Sequence, residues 1–383
     1  MTTTNTDNTD VSADTEIEKK PGWFAANWML VLLVIFLPIS ILLEVLHASP
    51  SLVFVGAALA IIPLAGYMGQ ATDQLAKHLG SAIGGLLNAT FGNMTELIIT
   101  IFAVRAGQLD VVRASLIGSI IGNILLVLGM AAFFGGLKYR TLKFNMAAAG
   151  SDIVQLFLAV VAILTPSLFV LAAYKPGMTR QEFANSPPVE YMSLGVAGLL
   201  ILLYLGSLLF SLKTHQDIYC VQEETGQEPP TWSKTRSFMV LGIATIAVAF
   251  ESEFLVSSIE PTVKALHISP LFVGVILLPI IGNAAEHATA VTMAMRNKMD
   301  IAIGICTSSS AQVALFVGPV IVFLSLALGH PMPFIFNTFE LVAVGFAVLI
   351  ANLIARDGET NWFEGAMLLV LYAIFGLAFF FVP

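Results

Sequence analysis

The chain has 383 residues, of which 57% are hydrophobic and only 11% charged, with a formal net charge of −8. An ordinary soluble domain carries about 25% charged residues, so this composition excludes a water-soluble globular protein and leaves a multi-span membrane protein. No run of basic and aromatic residues suggests a nucleic-acid surface, and the two cysteines, Cys220 and Cys306, make neither a disulfide framework nor a zinc pattern.

In chain order, residues 1–26 are polar, acidic and low in complexity. They read as a disordered tail rather than the basic start of a signal peptide. A spanning helix needs about 20 mainly apolar residues. Eleven such runs follow: 27–46, 51–71, 81–104, 112–135, 146–173, 189–211, 236–258, 269–294, 301–328, 334–354 and 361–382. The longest polar interruption, within residues 212–235, carries Asp217, Glu223, Glu224 and Glu228. Two readings of it stand, a solvated linker and a cation-sensing acidic segment. Lys and Arg favour the cytoplasmic side of a membrane. With the N-terminus inside, twelve of the 17 basic residues fall on inner segments and five on outer ones. That predicts a multi-pass protein with a cytoplasmic N-terminus, and a prokaryotic cytoplasmic membrane is the default setting.

Residues 92–128 align without a gap on residues 282–318: Gly92 meets Gly282, Asn93 meets Asn283, Glu96 meets Glu286, Asp110 meets Asp300, and Ser119 meets Ser309. Corresponding residues lie five spans apart, an odd number, so the second copy enters the membrane from the opposite side. The expected architecture is therefore all-α: an extra helix (27–46), a first five-helix repeat (51–211), an acidic cytoplasmic linker (212–235) and a second, inverted repeat (236–383). Inverted repeats mark secondary transporters, whose sites lie near the midplane where the halves meet.

Within each motif Gly and Glu share a helix face, with Asn about 100° around it. Gly leaves backbone carbonyls approachable, Asn offers an amide oxygen and Glu a charged one. Two facing units make an all-oxygen cage suited to a hard divalent cation. A carboxylate at mid-membrane costs at least about 2.5 kcal/mol, and two placed symmetrically argue for one shared site. Glu251, Glu253 and Glu260 read as a solvated helix end, with an attracting vestibule as the alternative. Asp152 and Glu340 read as secondary proton or cation contacts. Glu44 reads as reaching the interface.

GLLNATFGNMTELI (85–98) and LLPIIGNAAEHATAV (277–291) resemble the paired signatures of the calcium/proton exchanger (CAX) family of the calcium:cation antiporter superfamily. ASLIGSIIGNILLVLG, SSSAQVALFVGP and DGETNWFEG are also similar, and the resemblance runs from about residue 50 onward. It implies calcium/proton antiport by alternating access, with Glu96 and Glu286 binding Ca2+ or protons in turn, and no resident cofactor. It further implies that Asn93, Asn283 and the carbonyls of Gly92 and Gly282 line the site, and that Ser119, Ser309 and Gln312 face it. Family members often read Gly-Ser-Ser-Thr-Gln where this chain has Ser308 to Gln312. His287 has two readings, a proton relay and a structural residue. The fold class further suggests that short helices, the first and the sixth, slide as a unit. The alternatives are a sodium- or other-cation-coupled divalent exchanger and a divalent cation channel. An intramembrane hydrolase lacks any HExxH spacing or nucleophile-base arrangement. The expected partners are calcium ion, protons and the bilayer. Oligomeric state, stoichiometry and the choice among Ca2+, Mn2+, Mg2+ and Cd2+ are not fixed by sequence.

Overall fold

The computed structural model describes residues 28–173, 178–215 and 229–382. The expected N-terminal tail and the four acids of the linker, with Cys220, lie outside the described residues.

Apolar runs of spanning length become helices because a bilayer requires every backbone N–H and C=O to be satisfied within the segment. The helices are α1 Trp28–Val45, α2 Pro50–Leu79, α3 Ser81–Phe91, α4 Met94–Arg105, α5 Leu109–Lys138, α6 Met146–Ala173, the short α7 Arg180–Ala184, α8 Pro187–Thr214, α9 Lys234–Leu266, α10 Pro270–Ala294, α11 Met299–Ala327, α12 Thr338–Ile354 and α13 Trp362–Phe381. Among the described residues nine helices are individually long and apolar enough to cross a membrane. The α3–α4 pair and the shorter α12 bring the spans to eleven. Successive spans alternate in direction, so Trp28, Leu79, Lys138, Ala294 and Trp362 share one end of the bundle, called here the proximal end.

Two helices run well past their expected limits. α2 continues from 71 to Leu79, carrying an Asp73–Lys77 ion pair of 3.1 Å, and α9 continues from 258 to Leu266, carrying a Glu260–Lys264 pair of 2.6 Å. Both pairs have the i,i+4 spacing that lets a helix persist after its apolar run stops. α2 and α9 are also each other's main packing partners. The expectation that the first and sixth helices form a sliding unit is therefore corrected. α8, the sixth span, is 28 residues long and packs on α11 and α6, while α1 packs on α2.

The apolar interior divides in an informative way. At the distal end, Phe54, Ala57 and Ile61 of α2 and Leu255, Val256 and Ile259 of α9 belong to the large core built with α4–α6, α8 and α10–α13. Toward the proximal end, Leu64, Met68, Ala71 and Leu75 of α2 instead form a separate cluster with Leu241, Ala244 and Val248 of α9. The distal seal is close. A side chain at Gly118 of α5 would collide with the backbone of Val275 in α10, and one at Gly274 would collide with Ala114. A two-stranded antiparallel ribbon, β1 Leu142–Lys143 with β2 Glu359–Thr360, lies on the proximal surface.

The repeats share local irregularities as well as sequence. α5 contains a π-helical turn at Gly122–Val127 and α11 one at Val313–Val317. Each lies just beyond the polar residues its helix presents, and such wide turns re-aim side chains within a helix. The break at the motif itself is not shared. The first motif breaks its span, with Gly92 and Asn93 in the turn between α3 and α4, whereas α10 runs unbroken through Gly282 and Asn283.

Candidate functional site

α4 and α10 pack against each other near the middle of the bundle, flanked by α5 and α11. This arrangement brings the twin motifs together. Glu96 is 6% exposed, and its Oε1 accepts hydrogen bonds from Ser119 Oγ and from Asn283 Nδ2, the latter at 2.5 Å. Glu286 Oε2 accepts from Ser309 Oγ at 2.9 Å. The Ser–Glu pairing therefore recurs in both copies, with serine 23 positions after glutamate each time. Each glycine faces the other copy's acid. A Cβ on Gly282 would lie 3.0 Å from Glu96 Cγ, and one on Gly92 3.6 Å from Glu286 Oε1.

The asparagines are not used alike. Asn283 donates to Glu96, whereas Asn93 Nδ2 donates to Gln312 Oε1 at 2.7 Å and its Oδ1 accepts from Ser309 Oγ at 3.5 Å. Gln312 Nε2 in turn reaches Ser308 Oγ at 3.3 Å. Sequence comparison of the repeats could not find this link, because residue 122, opposite Gln312, is Gly. Glu96 Oε2 is buried with no hydrogen-bond partner among the described residues, leaving one carboxylate oxygen for a bound cation or proton. Among the described residues no group of three or more His, Cys, Asp or Glu is placed to hold a metal. The donors gathered here, two carboxylates with hydroxyl and amide oxygens, are of the hard class that suits a hard cation.

A cavity of about 960 Å³ leads to these residues from the proximal end. Glu286, Gly92, Ser309 and Gln312 line it, and nearer the mouth stand Trp28, Gln70, Asp73, Asp152, Gln155 and Ser211. Glu96, Asn93, Asn283 and Ser119 are buried beyond its wall. Asp152, on the wall, accepts from Thr307 Oγ1 at 3.4 Å. Gln70 and Gln155, polar residues inside long apolar helices, are the wall's signal in the sequence, one that stands outside the twin motifs.

Other acids fall elsewhere. Glu340 is buried but belongs to the capping box that starts α12, its carboxylate accepting from the backbone of Asn337 at 2.8 Å. Glu251 is no solvated helix end. It is 1% exposed and accepts from Ser40 Oγ of α1 at 2.5 Å. Glu253 and Glu260 are exposed. His287 is buried away from the cavity wall, and its Nε2 has no partner among the described residues.

A family model described as "Sodium/calcium exchanger protein" matches residues 49–213 and again 236–381. A Ca(2+)/H(+) antiporter of Synechocystis sp. is 47% identical over 369 residues, covering 92% of this chain and 97% of the relative. The Ca(2+)/H(+) antiporter ChaA of Bacillus subtilis is 43% identical over 348 residues, covering 90% and 96%. The solved structure of native YfkE superposes with a TM-score of 0.79 at 39% identity, covering 92% of this chain and all of that one. With both halves matched and relatives of this similarity along nearly its whole length, the chain belongs to the sodium/calcium exchanger protein family.

Proposed function

We propose that the protein is a Ca2+/H+ antiporter in which Glu96 and Glu286 take up the cation or protons in turn. The observation that carries this reading is the convergence of two carboxylates, one from each inverted copy, with Glu286 on the wall of a single cavity and Glu96 buried just beyond it. The relatives named as Ca2+/H+ antiporters support it.

The coupling follows from charge. A divalent cation cancels two carboxylates, and protons neutralise them equally well, but two bare charges in a low-dielectric interior are costly. Only loaded or protonated sites cross from one access state to the other, so cation and protons exchange through competition for the same oxygens. No covalent bond is made or broken. A channel would need a path through both ends, whereas the distal halves of α2, α5, α9 and α10 are packed into one core. If the proximal end is cytoplasmic, as its excess of Lys and Arg suggests, the cavity admits cytosolic Ca2+. His287, buried off the wall, serves better as a structural residue than as a relay.

The test is Ca2+ uptake into proteoliposomes with and without an imposed pH gradient, comparing the natural protein with Glu96→Gln and Glu286→Gln. Gradient-driven uptake abolished by either substitution supports the reading. Uptake indifferent to the gradient would overturn it.

A further inference from the structure

Three connections far apart in the sequence meet on the proximal surface. The first follows α5: Lys138 Nζ donates to the carbonyl of Met295 at 3.1 Å, and Lys143 in β1 stands opposite Glu359 in β2. The second is the α10–α11 turn, with Arg296 and Lys298. The third is the α12–α13 turn, whose Gly358 carbonyl accepts from Phe144 N–H at 2.9 Å. Gly136 has no side chain, so the backbone of Trp362 lies directly against α5.

The result is a platform bearing Lys138, Arg140, Lys143, Arg296, Lys298 and Arg356, all exposed. None of the six has an ion-pair partner among the described residues, while Arg113 and Lys264 toward the distal end are paired with Asp110 and Glu260. Four acids lie at this end, one of them, Glu364 in the first turn of α13, accepting from Asn361 Nδ2 at 3.1 Å. Asp357 and Glu359 are exposed, and Asp300 accepts from the backbone N–H of Asn145.

The neighbouring aromatics fix the depth. Lys138 Nζ lies 5.1 Å from the Tyr139 ring centroid, and Trp362 and Phe363, at the first turn of α13, are 45% and 57% exposed. Half-exposed aromatic rings at the ends of spanning helices mark the level of the lipid headgroups. What unpaired cations meet at that level is phosphate, which attracts clustered Lys and Arg.

We propose that this platform binds anionic phospholipid headgroups and thereby steadies the α10–α11 turn, which joins the helices of Glu286 and Ser309. The binding stands alone, and its effect on transport rests on the exchange reading above.

The purified protein is tested for lipid retention by native mass spectrometry after exposure to phosphatidylglycerol and phosphatidylcholine. The natural protein retains phosphatidylglycerol preferentially. A variant carrying K138Q, R140Q, K143Q, R296Q, K298Q and R356Q loses that preference at least about tenfold, and a variant exchanging Lys and Arg at the same positions keeps it. The exchanged variant guards against mere misfolding, since both alter all six side chains. Equal retention by the natural and the glutamine proteins overturns the proposal. Displacement of the lipid by millimolar inorganic phosphate overturns the lipid assignment and makes the platform a soluble-anion site. In a second arm, Ca2+ uptake by the natural protein slows about threefold when phosphatidylcholine replaces phosphatidylglycerol, and the glutamine variant does not respond. Loss of the uptake response with retention intact overturns only the steadying role.

Discussion

Asn283 and Glu96 are 187 positions apart in the chain, and their side chains meet at 2.5 Å. The bond joins the second repeat to the first at the most buried acid of the site. Its symmetry mate is missing, because Asn93 is engaged with Gln312 instead. The copies thus hold the same chemistry in two conformations, one broken at Gly92–Asn93 and one continuous, as expected when a single access path is open. Asn283→Ala leaves the buried Glu96 with Ser119 alone. A lost hydrogen bond to a charged group costs about 1.5–3 kcal/mol, so unfolding in detergent shifts to lower temperature and initial Ca2+ uptake falls at least about tenfold. An uptake rate unchanged from the natural protein would count against a role for this bond in the site.

Gly282 is small because Glu96 lies over it. In Gly282→Ala the new methyl meets Glu96 Cγ at 3.0 Å, and overpacking of this kind costs about 1–3 kcal/mol. Gly122 makes a fair control, since a methyl there reaches only Pro279 Cβ, at 3.9 Å. Ca2+ affinity in an uptake titration is expected to weaken strongly for Gly282→Ala and little for Gly122→Ala. Equal behaviour of the two would detach the glycine from the carboxylate.

Ser40 and Glu251 pin α1, which lies outside both repeats, to the middle of α9. Ser40 is fully buried and Glu251 Oε1 has no partner among the described residues, so Ser40 supplies the only bond recorded for this carboxyl group. Ser40→Ala should therefore destabilise by about 1–3 kcal/mol, while replacing both partners with apolar residues is nearly neutral. Thermal unfolding of Ser40→Ala, Glu251→Leu and the pair forms a double-mutant cycle. Additive losses would show that the two side chains are not coupled.

How much of this was legible beforehand differs from residue to residue. Span existence was legible because lipid demands long apolar helices, and the twin motif was legible because its spacing survives intact in both copies. Helix ends were not, where Asp73–Lys77 and Glu260–Lys264 sustain helices beyond their apolar stretch. The family resemblance implied that Gln312 faces the site, but its partner Asn93 is 219 positions away and the repeat offers no counterpart. Glu251 was misjudged for a related reason. Proximity to a helix end suggests solvent, and only the placement of α1, with Ser40 211 positions distant, reveals burial. Periodicity reports which face of a helix is apolar, not which other helix covers it.

Gln74 shows what the unexpected extension of α2 achieves. Its Oε1 accepts from Thr231 N at 2.7 Å, Trp232 N at 3.1 Å and Thr231 Oγ1 at 3.2 Å, while His78 Nε2 lies 2.7 Å from the Trp232 carbonyl. Arg236 then covers the Trp232 ring, 4.5 Å from its centroid. The end of the linker is thereby clasped to α2 beside Thr72 and Asp73, which line the cavity. Because the same segment leads directly into α9, the clasp holds the proximal ends of the two long helices together. Gln74→Ala removes the shared acceptor and leaves two backbone donors without it, so amide hydrogen exchange at 231–232 should accelerate by about tenfold or more, as expected for loss of roughly 1.5 kcal/mol of local protection. Hydrogen-exchange mass spectrometry reads this directly. If protection there is unchanged while that of α9 falls, the clasp is held by His78 and Trp232 rather than by Gln74.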